Sequence, residues 1–541
     1  MAATAAAVLP TGAAAVVDAP ALDAYVRARL ADGDRSLPVA VSGYAQALSA
    51  DPDNAVLALR SYRQAIAAGD MPLALKAARV MDQAGVLPRD GALLFAVDAL
   101  DRKDWAEARR MADRMKAEES FAFLAPLLSS WVSLAEGPYL APAADVKSQF
   151  GLLTGRYIDE HVALQALARE DLAGAKPAIM RALSVRTSTL AGLRIAIAGR
   201  LAALGERDDA LALLNLDDPV LNSAKAELLR KRRIKSPALT PKQGFGRVLA
   251  QLAIDVGDGD SRPLALTLAR FASFADPASS EMRVAIARQL ALAGYSKAAV
   301  IEAAKVDRTS PWASSADDVQ IVALAQSGQS DAALAMAREA VEQPDASAAQ
   351  HLRFANLLSE AKQFGPAVES YRAAQTRLPQ GSVPWSLYLL EGSALERSGR
   401  WGEAEVALNK AAALAPEEPV VLNYLGYAQI ERRQNVADAL ALLRKAQALR
   451  PEDASIADSL GWAHFVAGDP RNAVPMLEKA AAGAPADVTI NEHLGDALWA
   501  VGRRYEARYA WTAARAFAEG DAAIRIGSKV SGGFRPEFAA P

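Results

Sequence analysis

Small and apolar residues recur along the C-terminal third of the chain at a spacing that only helices explain. Leu422, Leu425, Gly426 and Gln429 fall at i, i+3, i+4 and i+7, one face of a helix whose apolar character Gln429 breaks. After a polar turn, Ala439, Leu443 and Ala446 fall at i, i+4 and i+7 and mark a second helix. Pro451 ends it, because proline cannot continue the hydrogen-bond ladder. The pattern then repeats. Gly392, Gly426, Gly461 and Gly495 are spaced 34, 35 and 34. Ala404, Ala439, Ala473 and Ala507 keep step, as do Ala411, Ala446, Ala480 and Ala514, and Pro416, Pro451 and Pro485 close the units. The one extra residue lies within "ERRQNVAD", between Gly426 and Ala439, and so enlarges a turn. "PEEP", "PEDAS" and "PADVT" place acidic residues where the next helix begins, which suits the positive end of its dipole.

A glycine or alanine in such a column has a mechanical purpose: a larger side chain would push the paired helices apart. One pair cannot bury its own apolar face, whereas stacked pairs can. The expectation is an all-α chain, an α-solenoid of stacked antiparallel helix pairs, about a dozen of them. Fainter copies continue upstream in Ala367, Tyr371 and Ala374; Gly328, Ala333 and Ala340; and Gly294 with Ala299. Gly205 with Ala210, Trp105 with Ala108, Gly69 with Ala74, and Ala40, Tyr44, Ala47 and Pro52 extend them towards the N-terminus.

Composition agrees with close-packed helices. Of 541 residues, 52% are hydrophobic but only 6% aromatic, and alanine is abundant. The 60 basic and 63 acidic residues nearly balance, which removes electrostatic support for nucleic-acid binding by the chain as a whole. There is no cysteine, hence no disulfide, thiolate nucleophile or cysteine metal ligand. No apolar run of about 18 residues predicts a membrane-spanning helix. The N-terminal "MAATAAAVLPTGAAAVVDAP" carries Ala13-Ala14-Ala15, which looks like a signal-peptidase site, but no Lys or Arg precedes it. Two readings follow: a remnant signal segment with a periplasmic or exported protein, or an Ala-rich arm with a cytoplasmic one.

Motifs that carry chemistry are few. His161, His351, His464 and His493 show no metal-ligand spacing, and packing or surface roles are expected for them. "DVGDGDSRP" clusters Asp255, Asp258 and Asp260 without the order or closing Glu of a calcium loop, so a polar turn is expected. "GFGR" at Gly244 lacks the remaining elements of a phosphate loop. Catalytic residues, metal sites and cofactors are therefore expected to be none. The run Arg230, Lys231, Arg232, Arg233 and Lys235 before Pro237 and Pro241 predicts a break near 230–243; its charges suit either a solvated helix C-terminus or an anionic partner.

The unit Ser455–Pro485, with Leu460, Gly461, Ala473, Leu477, Ala480 and Pro485, resembles the tetratricopeptide repeat: Trp-x2-Leu-Gly-x2-Tyr, then Ala, aromatic, Ala and Pro over 34 residues. "NYLGY", "DSLGW" and "HLGDALWAVGRRYEARYAW" closing a long degenerate array are similar to proteobacterial repeat proteins of this family, many of them exported or envelope-associated. The resemblance implies a scaffold or adaptor for a protein or peptide partner. Its alternatives are an envelope-associated protein assisting exopolysaccharide or outer-membrane assembly, and an enzyme with an unrecognised site. It also implies that a stripe on each first helix lines a concave groove: Leu389, Ser393 and Glu396; Asn423, Tyr427 and Ile430; Asp458, Trp462 and Phe465; Glu492, Asp496 and Trp499. Tyr427, Trp462, Phe465 and Trp499, edged by Asp458, Glu492 and Asp496, would suit an apolar or basic segment; the same aromatics could instead pack on the next repeat or on a capping helix. The expected organisation is an Ala-rich arm (1–20), degenerate repeats (21–229), a basic and Pro-containing linker (230–243), further degenerate repeats (244–349), clear repeats (350–517), and a capping segment with a mobile tail (518–541).

Overall fold

A left-handed residue followed five positions later by a buried alanine recurs down the chain in the computed structural model, which describes residues 19–143, 151–184, 190–230, 238–257 and 262–535. Glycine takes the left-handed position at Gly69, Gly205, Gly294, Gly328, Gly399, Gly468 and Gly502, with φ between 79° and 95°. Arg35, Lys103, Glu170 and Lys362 take it elsewhere, with φ of 55°, 56°, 63° and 59°. Five residues on stand Ala40, Ala74, Ala108, Ala175, Ala210, Ala299, Ala333, Ala367, Ala404, Ala473 and Ala507, all fully buried. The backbone must reverse in a few residues to lay the second helix on the first, and a single left-handed residue does this at the helix end. The alanine is then the point of closest approach.

Among the described residues the chain forms 29 α-helices and no strand. It divides into two compact units, Met1–Met336 and Ala337–Pro541. The first contains α1 (Ala19–Gly33), α2 (Leu37–Ala50), α3 (Ala55–Ala68), α4 (Met71–Gln83), α5 (Gly91–Asp101), α6 (Trp105–Ala117), α7 (Ala125–Ala135), α8 (Gly151–Ala168) and α9 (Leu172–Ala182). It continues with α10 (Ala191–Ala203), α11 (Arg207–Leu213), α12 (Pro219–Leu229), α13 (Pro241–Asp255), α14 (Arg262–Ala275), α15 (Ser280–Leu292), α16 (Ser296–Ala304) and α17 (Ala313–Gln326). The division falls within α18 (Ser330–Val341).

The first unit is not a simple linear stack. Its array curls until α13 packs on α5 and α7, and α14 on α3 and α5. Arg270 of α14 secures this closure: its Nε and Nη2 donate to the Ala67 carbonyl at the end of α3, at 3.1 and 2.7 Å, and its Nη1 reaches Glu302 at 3.2 Å. A helix C-terminus offers carbonyls without intrahelical partners, and a guanidinium satisfies them with favourable charge. Burial pulls Arg270 below its ordinary pKa. Burial pushes Glu302 the other way, but Arg270 and Lys305 outweigh it and hold its carboxyl below the usual range. Gly244 and Gly246, read in the sequence as falling short of a phosphate loop, lie inside α13, Gly244 flush against the Trp131 ring and Gly246 against Ala275. Of the basic run, Arg230 follows α12 and positions 231–237 lie outside the described residues, as do Asp258, Asp260 and the N-terminal Ala13–Ala15.

The second unit is more regular. It holds α19 (Ala348–Glu360), α20 (Phe364–Thr376), α21 (Trp385–Arg397), α22 (Trp401–Leu414), α23 (Pro419–Glu431), α24 (Val436–Leu449), α25 (Ala454–Val466), α26 (Pro470–Gly483), α27 (Val488–Ala500), α28 (Arg504–Phe517) and α29 (Gly520–Gly532). First helices α21, α23, α25 and α27 each have 13 residues, and their partners α22, α24, α26 and α28 each have 14. The inserted residue sits in the α23–α24 turn, where Arg433 and Asn435 are both left-handed (φ 53° and 48°) and the helices keep their lengths. Proline shapes the other junction. Ala415, Arg450 and Ala484, each before a proline, adopt φ −135°, −133° and −139°, outside the helical region that a following proline disfavours. Asp51, before Pro52, does the same at −131°. Asp453 and Asp487 then cap α25 and α27, accepting from the amides of Ser455 and Ile456, and of Ile490.

The glycine column packs on the second helix of each pair with no room for a side chain. A methyl group on Gly461 would stand 2.6 Å from Leu477 Cγ and 3.2 Å from the Ala473 carbonyl; on Gly426 it would meet Leu443 Cγ at 2.8 Å. On Gly495 it would run into the Trp511 ring. Gly461→Ala is therefore expected to lower stability by about 1–3 kcal/mol through overpacking, and Gly495→Val by more. Gly402, with open space around it, serves as the control. Urea midpoints of the three variants check the order.

Candidate functional site

The first helices of the second unit carry the predicted stripe, and each stripe is met by the next first helix. The Tyr424 hydroxyl of α23 lies 2.9 Å from Ser393 Oγ and donates to Glu396 Oε2 at 2.6 Å, both on α21. His493 of α27 brings its Nδ1 to 3.0 and 3.1 Å from the Asp458 carboxylate of α25 and stacks on Trp462, ring centroids 4.0 Å apart. Arg525 and Lys529 of α29 do the same to α27. Tyr424, His493 and Arg525 thus occupy one structural position, just past the stripe of their own helix and against the stripe of the preceding one.

The last of these contacts is the most charged. Arg525 forms a fork on Glu492, Nε to Oε1 at 2.9 Å and Nη2 to Oε2 at 2.8 Å. Lys529, fully buried, donates to Glu492 Oε1 at 2.7 Å and to both oxygens of Asp496 at 2.8 and 2.7 Å. Trp511 Nε1 donates to Asp496 at 2.9 Å. Two carboxylates and two cations neutralise one another, and the three ammonium hydrogens all find oxygen, which a buried lysine requires. Burial pushes Glu492 up, but the hydrogen bonds and charges of Arg525 and Lys529 outweigh it and leave its carboxyl below the usual range. The carboxylate in turn holds the Arg525 guanidinium above its ordinary value.

Aromatic groups frame this network. Trp462 stacks on Phe465 at 4.9 Å, and Phe465 meets Phe534 edge-on at 6.5 Å. Trp499 packs on Trp511 at 5.4 Å. Gly533, with φ 82°, lies so close to Trp499 that no side chain fits there. The segment Arg525–Phe534, past the end of the clear repeats, is therefore seated on Phe465, Glu492, Asp496 and Trp499.

Sequence and structure differ in how open the stripe is. Asp458, Trp462, Glu492 and Asp496 are buried, because each first helix is covered by its successor; Asn423, Tyr427, Phe465 and Trp499 are half-buried. Asn423 keeps a buried Oδ1 without a hydrogen-bond partner. Burial, with Glu431 nearby, pushes the Tyr427 hydroxyl up. The sequence missed Arg525 and Lys529 as site residues. Within 518–541, expected as a capping segment with a mobile tail, Gly520–Gly532 form the helix α29. Its four-residue spacing of two basic groups, answering that of Glu492 and Asp496, was the available signal.

No family model and no curated protein matches the chain. Solved structures that resemble it include MamA from Desulfovibrio magneticus RS-1, at 17% identity and a TM-score of 0.28, covering 31% of this chain and 94% of that one. YrrB, a TPR protein with an unusual peptide-binding site, gives 18% identity, a TM-score of 0.29 and coverage of 35% and 91%. TTC0263, a thermophilic TPR protein in Thermus thermophilus, gives 19%, 0.30, and 34% and 100%. The repeats are tetratricopeptide-like. That statement stands on the helix lengths, the glycine and alanine columns and the proline junctions described above.

Among the described residues no group of three or more His, Asp and Glu side chains is placed to hold a metal ion, and no helix is long and apolar enough to cross a membrane. His464 faces Asp469 at 3.6 Å, and buried His161 accepts from Trp131 Nε1 at 3.0 Å. Asp255 binds Arg156 and, at 2.5 Å, the Tyr157 hydroxyl, so it ties α13 to α8. One strongly perturbed carboxyl is Glu160 in the same unit. Burial raises it to about 7 against the pull of Arg247 and Arg156, with Asp255 and Glu281 adding to the rise. Burial also drops His161 to about 3.

A carboxyl whose folded pKa is raised favours the protonated native state. Its stability contribution is greatest below the unfolded value and declines as pH rises towards about 7. Glu160→Gln is expected to flatten that decline. The variant should gain roughly 1–3 kcal/mol over the parent above pH 7 and match it near pH 4. Thermal midpoints across this range decide the matter; a constant difference at every pH contradicts it.

Proposed function

We propose that the chain is a non-catalytic scaffold that captures a basic, aromatic-tipped peptide segment along the first-helix stripe of its last repeats. Of the stripe Asn423, Tyr427, Asp458, Trp462, Phe465, Glu492, Asp496 and Trp499, Asp458 and Trp462 are covered by α27, so the seat proper is Phe465, Glu492, Asp496 and Trp499. The observation that carries this reading is the seat of Arg525–Phe534: carboxylates set one turn apart, flanked by aromatic faces, and filled by cations set one turn apart. Charge-assisted hydrogen bonds fix the register of such a segment, and the aromatic walls supply apolar contact. The peptide binding for which YrrB is described is compatible with this reading.

The test is a titration of the full chain with an Arg/Lys-rich amphipathic helical peptide and with its Glu-substituted counterpart, followed by tryptophan fluorescence. The basic peptide is expected to shift the emission and the acidic one to leave it unchanged. Trp499→Ala and Glu492→Gln should each weaken binding at least tenfold. Equal affinity for the two peptides, or full affinity in both variants, overturns the proposal.

A further inference from the structure

The seat on α27 is already occupied, and its occupant is held unlike the other first helices. Helices α23, α25 and α27 bury broad apolar faces: Val421, Leu422, Leu425, Ala428 and Ile430 in α23, for example. Helix α29 buries only Ile526 and Lys529. It contains Gly520, Gly527 and Gly532, each weakening a helix interior or end relative to alanine. Ile524 is 71% exposed and contributes nothing to the attachment. Only Ala518 and Glu519 separate α29 from α28; both are extended, and Gly520 follows with a left-handed φ of 56°. What holds α29 is the ionic network of Arg525 and Lys529, the buried Ile526 with half-buried Ala522 and Val530 beside it, and the close fit of Gly533 on Trp499 and of Phe534 on Phe465.

These contacts define a recognition pattern: Arg, then Lys four positions on, then Gly-Phe after three further residues. Arginine supplies a planar fork for Glu492. Lysine supplies a point charge shared between Glu492 and Asp496. Glycine admits close approach to Trp499, and phenylalanine presents its ring to Phe465. A displaceable helix carrying the complementary chemistry in the same chain is a built-in competitor.

We propose that Gly520–Arg535 is a resident stand-in for the partner, and that a partner helix of the pattern Arg-x3-Lys-x3-Gly-Phe binds by displacing it. This rests on the scaffold reading above and adds the partner's chemistry and the self-occupied state of the site. Displacement exchanges one set of ion pairs for an equivalent set, so it costs no uncompensated buried charge. Affinity for the partner is reduced by the fraction of time the resident segment is seated.

The probe is a fluorescein-labelled synthetic peptide of residues 520–535, and the readout is its anisotropy with the full chain. The double variant Arg525→Ala with Lys529→Ala is expected to bind the probe at least tenfold more tightly than the parent chain does. A probe with alanine at both basic positions should lose that gain. Equal binding by parent and double variant, or equal binding of the two probes, overturns the proposal. Should the double variant fail to fold by circular dichroism, amide exchange on the unmodified chain decides. The amides of α29 are expected to exchange at least tenfold faster than those of α27, and faster still with excess unlabelled peptide. Protection of α29 equal to that of α27 rejects displacement. If the unrelated basic peptide of the preceding section binds while α29 stays protected, the scaffold reading survives and only displacement falls. If no basic peptide binds even when α29 exchanges freely, the scaffold reading itself falls.

Discussion

Everything in this fold depends on how closely two helix backbones approach at one alanine. The reversal is made by a single left-handed residue, and the alanine five positions later sits fully buried where the second helix crosses the first. Packing density at that point leaves no room for another methylene. Once the crossing is fixed, the glycine on the first helix fixes how the second lies along it, and the proline junction fixes how the next pair begins. Three local constraints, repeated, therefore generate the array without any long-range instruction.

The second unit was legible because all three constraints are written there in the residues that suit them. Gly399, Gly468 and Gly502 take the left-handed turn, and Pro416, Pro451 and Pro485 mark the junctions. The first unit obeys the same turn rule but mixes Gly69, Gly205, Gly294 and Gly328 with Arg35, Lys103 and Glu170, and it lacks the regular proline junctions. A left-handed arginine or lysine leaves no mark that a reader of sequence would single out, since its conformational cost of about 1–2 kcal/mol is borne by the packing around it. The curl that brings α14 onto α3 was not legible for a different reason. The Arg270–Ala67 contact joins residues 203 positions apart, and its acceptor is a backbone carbonyl that carries no side-chain signature.

The candidate site was half legible. Helical periodicity placed Asp458, Trp462, Glu492 and Asp496 on one stripe, and the structure keeps them on one stripe. Periodicity reports which residues share a face; it does not report what lies opposite. Here the same face that would line a groove also receives the following first helix, so Trp462 meets His493 and Glu492 meets Arg525. The missing information was in "DAAIRIGSKVSGGF", whose glycines argue for mobility and whose two cations argue for attachment. Charge complementarity outweighed helix propensity.

The face of α27 is covered differently from those of the first helices before it, and the manner of covering decides what that face can do. An apolar covering helix would seal that face permanently, because removing the helix would expose the core. Here α29 buries one apolar side chain, Ile526, and a lysine between two carboxylates, whose attraction is offset in large part by desolvation of the ions. Yet a substitute lacking the cations would leave Glu492 and Asp496 buried and unpaired, at a cost of several kcal/mol. An ionic closure is thus weak in net energy and strict in chemistry. That combination separates a cover that merely shields α27 from one that selects what replaces it.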